Sequence, residues 1–281
     1  MANVSTAAQD VFVTVGDFRF ECNTTAAPPT ATLIQYTGQQ TEVVIPEVFE
    51  YAGVTYKISG IGNEYAQPFY DNTTLERVVM PQSVRAIAAE AFHGCSSLNY
   101  VKFGNVAEIG DYAFAHCSAL GKVNLPLTMR HIGYGAFAHC LGLHAIVLPE
   151  NVLTLMGATF EGTPITELQI LGRTPPEVVY QLDNSGSIYS QCQLYIPILS
   201  TNDYAAATPW NLFTRVAEKP QSGDVNADGS IDVADMNILC NIILGKDSAE
   251  NYDGRALITN HATVDVHDLN FIINLLLGIY Q

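Results

Sequence analysis

The chain has 281 residues, 48% of them apolar, which is enough to bury a substantial core and to form more than one domain. Its 28 acidic residues against 12 basic ones leave a net charge of −16. That balance excludes unaided nucleic-acid binding, which needs clustered Lys and Arg, and opposes docking on an anionic membrane surface.

No stretch of the sequence reaches the ~20 consecutive apolar residues that span a bilayer. The opening MANVSTAAQD lacks the basic and apolar regions of a signal peptide. We expect Met1 to stand after an export signal already removed, and the chain to reside outside the cell or on a bacterial cell surface. Residues 11–59 carry apolar runs (VFVTV, FRFEC, ATLIQY, EVVIP, VTYKIS) separated by Gly, Pro and Asn. They predict β-hairpins, so residues 1–59 are assigned as an N-terminal β cap.

From there the chain repeats. Phe69, Phe92, Phe114, Phe137 and Phe160 are 23, 22, 23 and 23 residues apart. Ile87, Ile109, Ile132 and Leu155 each precede a Phe by five positions. Cys95, Cys117 and Cys140 follow by three, and Leu98, Leu120 and Leu143 by six. Val101, Val123 and Ile146 come next, and Pro81, Pro126 and Pro149 close three of the units. The segment L-x-x-V-x-L alternates and predicts a short strand; the Ala-Phe segment does not, and predicts a turn of α- or 3₁₀-helix on the opposite wall. No unit buries both its Phe and its Leu/Val face alone, so the units must stack into a solenoid.

This I-x-x-x-A-F-x-x-C-x-x-L-x-x-V-x-L-P pattern resembles the BspA-like leucine-rich-repeat family, found largely on surface proteins of host-associated anaerobic bacteria. The resemblance covers residues 55–217 and implies a mostly β solenoid with short strands and short helical turns, assigned to residues 60–217 with its C-terminal cap. The closing L-Y-I-P strand and the TNDYAAATPWNLF segment, with Trp210 and Phe213, match the family's way of ending the array.

Cys95, Cys117 and Cys140 share one register and read as small buried hydrophobes rather than a disulfide or metal ladder. His116 and His139 also share a register, but two ligands fall short of a structural zinc site, so they read as solvated turn residues. The outward strand positions are the better candidate. Arg77, Tyr100 and Lys122 fall in one column and Lys102 and Asn124 in the next, a basic and aromatic patch suited to an acidic protein or glycan ligand. The repeats show no paired-carboxylate arrangement placeable across a cleft, and the sequence lacks G-x-S-x-G, H-E-x-x-H and phosphate-loop motifs. We therefore expect a protein that is not an enzyme.

Residues 218–222 form a linker, and residues 223–281 have a different composition. Asp224, Asn226, Asp228, Ser230, Asp232 and Asp235 stand at positions 1, 3, 5, 7, 9 and 12 of a calcium loop, with Gly229 at position 6. Ca²⁺ needs six to eight oxygen ligands around a tight turn, which this spacing supplies, Ser230 through its carbonyl and Asp232 through water. An offset of 33 relates Asp232, Asp235, Asn237 and Asn241 to Asp265, Asp268, Asn270 and Asn274. Each half reads as a loop followed by one amphipathic helix, a small all-α calcium-binding domain.

Two loop-helix units with Asp at position 12 resemble a type I dockerin over residues 223–278. The second loop carries Leu257, Thr259, His261 and Ala262 where ligands and the turn glycine belong, so one bound Ca²⁺ is expected. In that family the module docks on a cohesin domain through residues just after position 9, which correspond to Val233 and Ala234 and to Val266 and His267. A Ser-Thr pair is common there in clostridial dockerins; its absence implies a partner of another specificity. The resulting expectation is a secreted or surface interaction protein whose repeats bind a protein or glycan and whose tail attaches to a partner. The rival readings are a dockerin-borne component of a polysaccharide-degrading system, and a structural spacer whose tail packs on its own repeats.

Overall fold

The computed structural model describes residues 11–219, 223–226, 231–252 and 264–276. Strands β1 (Val11–Val15), β2 (Phe18–Asn23) and β3 (Thr30–Tyr36) form an antiparallel meander, and β5 (Val48–Tyr51) and β6 (Val54–Ile61) a hairpin that joins it by parallel pairing of β3 with β6. The intervening β4 (Glu42–Val44) does something the cap assignment did not anticipate. It pairs parallel with β7 (Arg77–Val79) and is the first strand of the repeat wall. The array thus begins inside the segment assigned to the cap.

The repeats then alternate between two parallel walls. The outer wall carries β7, β9 (Tyr100–Lys102), β12 (Ala145–Leu148), β14 (Glu167–Ile170), β16 (Gln193–Ile196) and β17 (Val216–Glu218). The second wall is a ladder of two-residue strands that continues the cap sheet: β8 (Ala86–Ile87), β10 (Glu108–Ile109), β11 (His131–Ile132), β13 (Thr154–Leu155) and β15 (Glu177–Val178). The outer wall is split into a three-stranded sheet β4-β7-β9 and a four-stranded sheet β12-β14-β16-β17, with residues 121–126 running between them outside either ladder. The split follows the one 22-residue unit. Between Phe103 and Val106 there are two residues, where Met80–Val84, Leu125–Met129 and Leu148–Val152 each allow three, so that corner is one residue short.

The Phe-bearing segment is not the helix that its lack of alternation predicts. It is a stack of turns in which the residue two after each Phe adopts positive φ (Asp71, Gly94, His116, His139 and Gly162), as does the residue two before every Phe except Phe69 (Glu90, Tyr112, Gly135 and Ala158). Alternate N–H groups then point along the solenoid axis. Tyr112, Phe114 and His116 donate to the carbonyls of Tyr134, Ala136 and Ala138 in the next unit at 2.7–2.9 Å, while Ala113, Ala115 and Cys117 close turns within their own unit. A left-handed non-glycine residue costs about 1–2 kcal/mol, and Asp and His tolerate it better than most. The cost is offset because each such residue frees an N–H to bond to the next unit, where an α-helix would turn all of them inward.

Inside the walls, Phe69, Phe92, Phe114, Phe137 and Phe160 stack nearly parallel, with centroids 4.8, 5.1, 5.6 and 6.4 Å apart, and all are fully buried. Tyr36 continues the column into the cap, 5.1 Å from Phe69. At the other end α1 (Ser187–Gln191), α2 (Thr201–Ala206) and a 3₁₀ turn at Trp210–Leu212 cover the core. Tyr204 and Trp210 donate to the carbonyls of Gly172 and Pro176 at 2.7 and 2.8 Å, so the buried aromatic edges are satisfied.

The cysteines stack in the core as free thiols, as their shared register predicts. They also donate. Cys95, Cys117 and Cys140 Sγ bond to the carbonyls of Phe69, Phe92 and Phe114 in the preceding unit at 3.0–3.2 Å. Thr163, three after Phe160, makes the same bond to Phe137 at 2.6 Å and accepts from Cys140 N at 3.0 Å. That Thr in the cysteine register is the sequence signal that the position wants a donor and not merely an apolar atom. Burial pushes the Cys95 and Cys140 thiols up to about 12, and the Cys117 thiol well above its ordinary value, which keeps the proton in place.

A donor requirement makes a prediction that a purely apolar site does not. Cys117→Thr should be more stable than the near-isosteric Cys117→Val by about 1 kcal/mol in urea denaturation, the net worth of one buried hydrogen bond. Equal stability, or a preference for Val, would return the cysteines to simple core packing.

Candidate binding surfaces

The outer wall presents two exposed columns. Parallel pairing sets Glu42, Arg77 and Tyr100 side by side, and two residues further on Val79 beside Lys102. The Arg77 guanidinium carbon lies 4.1 Å from the Tyr100 ring centroid, and Arg77 Nε lies 3.7 Å from Glu42 Oε1. Arg77 is thus held between a carboxylate and a ring, each contact worth at most about 1 kcal/mol at an exposed site. Lys122 and Asn124 are exposed in the segment between the sheets, outside the ladder that holds the other three predicted residues. Farther along, Glu167 pairs with Gln193 and Gln169 with Tyr195, and Lys219 Nζ sits 5.1 Å above the Tyr195 ring and 3.3 Å from Gln169 Oε1. Sequence reasoning missed Glu42 because it precedes the first repeat Phe, and Tyr195 because the spacing lengthens towards the cap.

The turn wall carries a column of rings. Tyr70 stacks on His93 at 4.9 Å, His93 meets His116 edge-on at 5.2 Å, and His116 stacks on His139 at 4.6 Å. The two histidines with a shared register are exposed as expected; His93, one position out of phase, joins them half-buried. Gly94 sits within this column with φ of 73°, the left-handed backbone that Asp71, His116 and His139 also hold in the same register. Among the described residues no three His, Cys, Asp or Glu side chains gather as a metal site.

In the C-terminal part, α3 (Val233–Ile243) packs on α4 (Val266–Leu276) around Val225, Leu239 and Ile272, a small core separate from that of the repeats. The duplication is visible in the hydrogen bonds. Asp232 N donates to Asp235 Oδ2 at 2.9 Å and Ala234 N to Asp232 Oδ1 at 2.6 Å; Asp265 N donates to Asp268 Oδ2 at 2.9 Å and His267 N to Asp265 Oδ1 at 2.7 Å. Asp224, Asp235 and Asp268 are fully buried. Asp235 Oδ1 also accepts from Val225 N and Asn226 N at 2.7 and 3.1 Å, which draws the start of the loop onto the start of the helix. Buried carboxylates in one loop suit a cation, and hard oxygens suit Ca²⁺. Asp228 and Ser230 lie outside the described residues, as do Leu257, Thr259, His261 and Ala262 of the second loop. Val233, Ala234, Val266 and His267 are all exposed on the first turns of the two helices, Val233 by 62% and Val266 by 55%.

Residues 63–177 match, in six copies, the family model described as the BspA type leucine rich repeat region. Among solved structures the chain is similar to a leucine rich repeat protein of T. pallidum, with 20% identity, a TM-score of 0.50, and coverage of 74% of this chain and 99% of that one. It is also similar to a leucine-rich repeat protein from Bacteroides ovatus, with 20% identity, a TM-score of 0.51, and coverage of 66% of this chain and 55% of that one. Comparison with curated proteins finds no match. Among the described residues no helix is long and apolar enough to cross a membrane. The fold is thus that of a leucine-rich-repeat solenoid, and residues 63–177 within it are similar to the BspA type of repeat.

The ring column makes stability depend on pH. Burial, with the neighbouring His139 and His93, holds the His116 pKa below its ordinary value, against a smaller opposing pull from Asp71. The unfolded chain then takes up the proton first, so stability falls as the pH is lowered through about 6.5. In urea titrations His116→Asn, which tolerates the same left-handed backbone, should lose less stability over that range than the natural chain. An identical pH dependence in both would show that the ring column carries none of it.

Proposed function

We propose that this chain is a non-enzymatic, secreted or surface-borne interaction protein with two binding ends. The solenoid recognises a macromolecular ligand through its outer wall, where Arg77, Tyr100, Lys102, Lys122 and Asn124 are exposed. The C-terminal module binds one Ca²⁺ through Asp224, Asn226, Asp228, Ser230, Asp232 and Asp235. It attaches to a protein partner through Val233, Ala234, Val266 and His267, in the manner of a dockerin on a cohesin-like domain.

The observation that carries this reading is the repeated parallel wall. It is a regular, solvent-facing platform, and repeat proteins commonly use such a surface for partners. The match to surface-type repeats supports the location. For the tail, the support is the burial of Asp224 and Asp235 against one loop, and the pair of exposed apolar residues opening each helix. A bound Ca²⁺ would neutralise those carboxylates and tie the loop to α3, so its binding energy would appear as folding energy of the module.

Isothermal titration should register one Ca²⁺ per chain, with Asp224→Ala lowering the affinity at least about tenfold and Asp268→Asn leaving it within about twofold. Chelation should loosen α3 and α4 in hydrogen exchange while the Phe-bearing turns stay protected. Unchanged calcium uptake by Asp224→Ala would remove the ligand assignment.

A further inference from the structure

The chain passes from the solenoid to the C-terminal module almost at once. Lys219 still belongs to the outer wall: its N–H donates to the Ile196 carbonyl at 2.8 Å, and its Nζ lies 3.3 Å from Gln169 Oε1. Gly223 already belongs to the module. It is buried, and a Cβ there would stand 3.4–3.5 Å from side-chain carbons of Ile231 and Ile272. The four residues from one to the other reach at most about 14 Å, so the module begins beside the end of the array. A tether this short sets an effective concentration in the millimolar range or above, roughly enough to populate even a weak contact within its reach.

One surface within reach is a groove of about 740 Å³ at the corner between β14 and β15. Val152, Leu171, Pro175 and Pro176 give it apolar walls, and Ile231, from the loop that precedes α3, lines it from the module's side. Two consecutive prolines hold the corner in one shape, so the groove loses little entropy on receiving a side chain. Its charged residues, Glu150, Arg173 and Glu177, nearly cancel, which leaves apolar contact as its main resource. Meanwhile Val233 and Val266, on the first turns of α3 and α4, remain 62% and 55% exposed. We propose that this groove is the seat of the chain's own C-terminal module. Ile231 rests in it and holds α3 and α4 at a fixed placement on the array, with Val233, Ala234, Val266 and His267 facing outward. The tail is then a rigid projection, and the two binding ends of the molecule keep a set geometry.

Backbone amide ¹⁵N relaxation of the full chain in saturating Ca²⁺ tests this, because a seated module tumbles with the solenoid and a loosely tethered one tumbles faster. The amides of α3 and α4 should share the rotational correlation time of the outer-wall strands. Leu153→Asp combined with Arg173→Glu makes the groove strongly acidic, opposite a module with nine acidic residues against two basic ones between 223 and 281. That pair should shorten the apparent correlation time of α3 and α4 by about a third or more. Both side chains are exposed, Leu153 by 52%, so the solenoid's melting temperature and the helical shifts of α3 and α4 should be retained. A natural module that tumbles faster than the strands overturns the seat. So does one that tumbles with them and is unmoved by the two substitutions, since the tether or another surface would then hold it. Calcium uptake is titrated on the same samples, so loss of the metal assignment leaves the seat to be judged on tumbling alone.

Discussion

The structure depends on one constraint: each unit must hand backbone hydrogen bonds to the next on the wall that carries its Phe. Two left-handed residues per unit make that possible. They turn alternate N–H groups along the solenoid axis, and those groups meet the carbonyls of the following turn at ordinary distances. The Phe column and the thiol column lie directly beneath. A thiol or hydroxyl three residues after each of Phe92, Phe114, Phe137 and Phe160 then ties its unit to the carbonyl of the Phe before it. Side-chain packing, thiol donation and backbone bonding therefore share one 22–23-residue register. This is why a segment with too few residues for a helix or a strand can still form a wall.

Much of this was legible, and the reasons are physical. Residues that fill the core must be the same kind in every unit, so Phe, Cys, Leu and Val recur visibly and the solenoid follows. The turn conformation was hidden because positive φ selects for tolerance and not for one side chain. Asp71, Gly94, His116, His139 and Gly162 look unrelated in sequence yet hold the same backbone state. His93 escaped for the converse reason, since it lies one position out of phase and reaches the ring column from a neighbouring site. The break in the outer wall had a numerical trace in the single 22-residue spacing. Converting that missing residue into a lost strand pairing requires the corner at Phe103–Val106, which only coordinates supply.

The two walls differ in what they leave for function. On the turn side, the rings of Tyr70, His93, His116 and His139 pack closely on one another, with the Asp71 carboxylate 4.0 Å from His93 Nδ1. On the outer side, the strands are short and the side chains reach solvent. The C-terminal module adds a different resource, carboxylates buried around the start of a helix, where helix capping and cation binding call for the same atoms. Asp235 illustrates the overlap: it completes a capping box with Asp232 and also holds the N–H groups of Val225 and Asn226. The recurrence of the Asp232 bonding pattern at Asp265 shows that the offset of 33 in sequence is a repeat of geometry.

The most direct measurement is residue-resolved hydrogen exchange of the native chain across the repeats. If the stacked turns hold the array together, the amides of Phe92, Phe114 and Phe137, with those two residues to either side of each, should be among the slowest in the protein and should exchange together. Fast exchange of these amides beside protected outer-wall strands would contradict the account, because the wall bearing the Phe column would then be a passenger on the sheet.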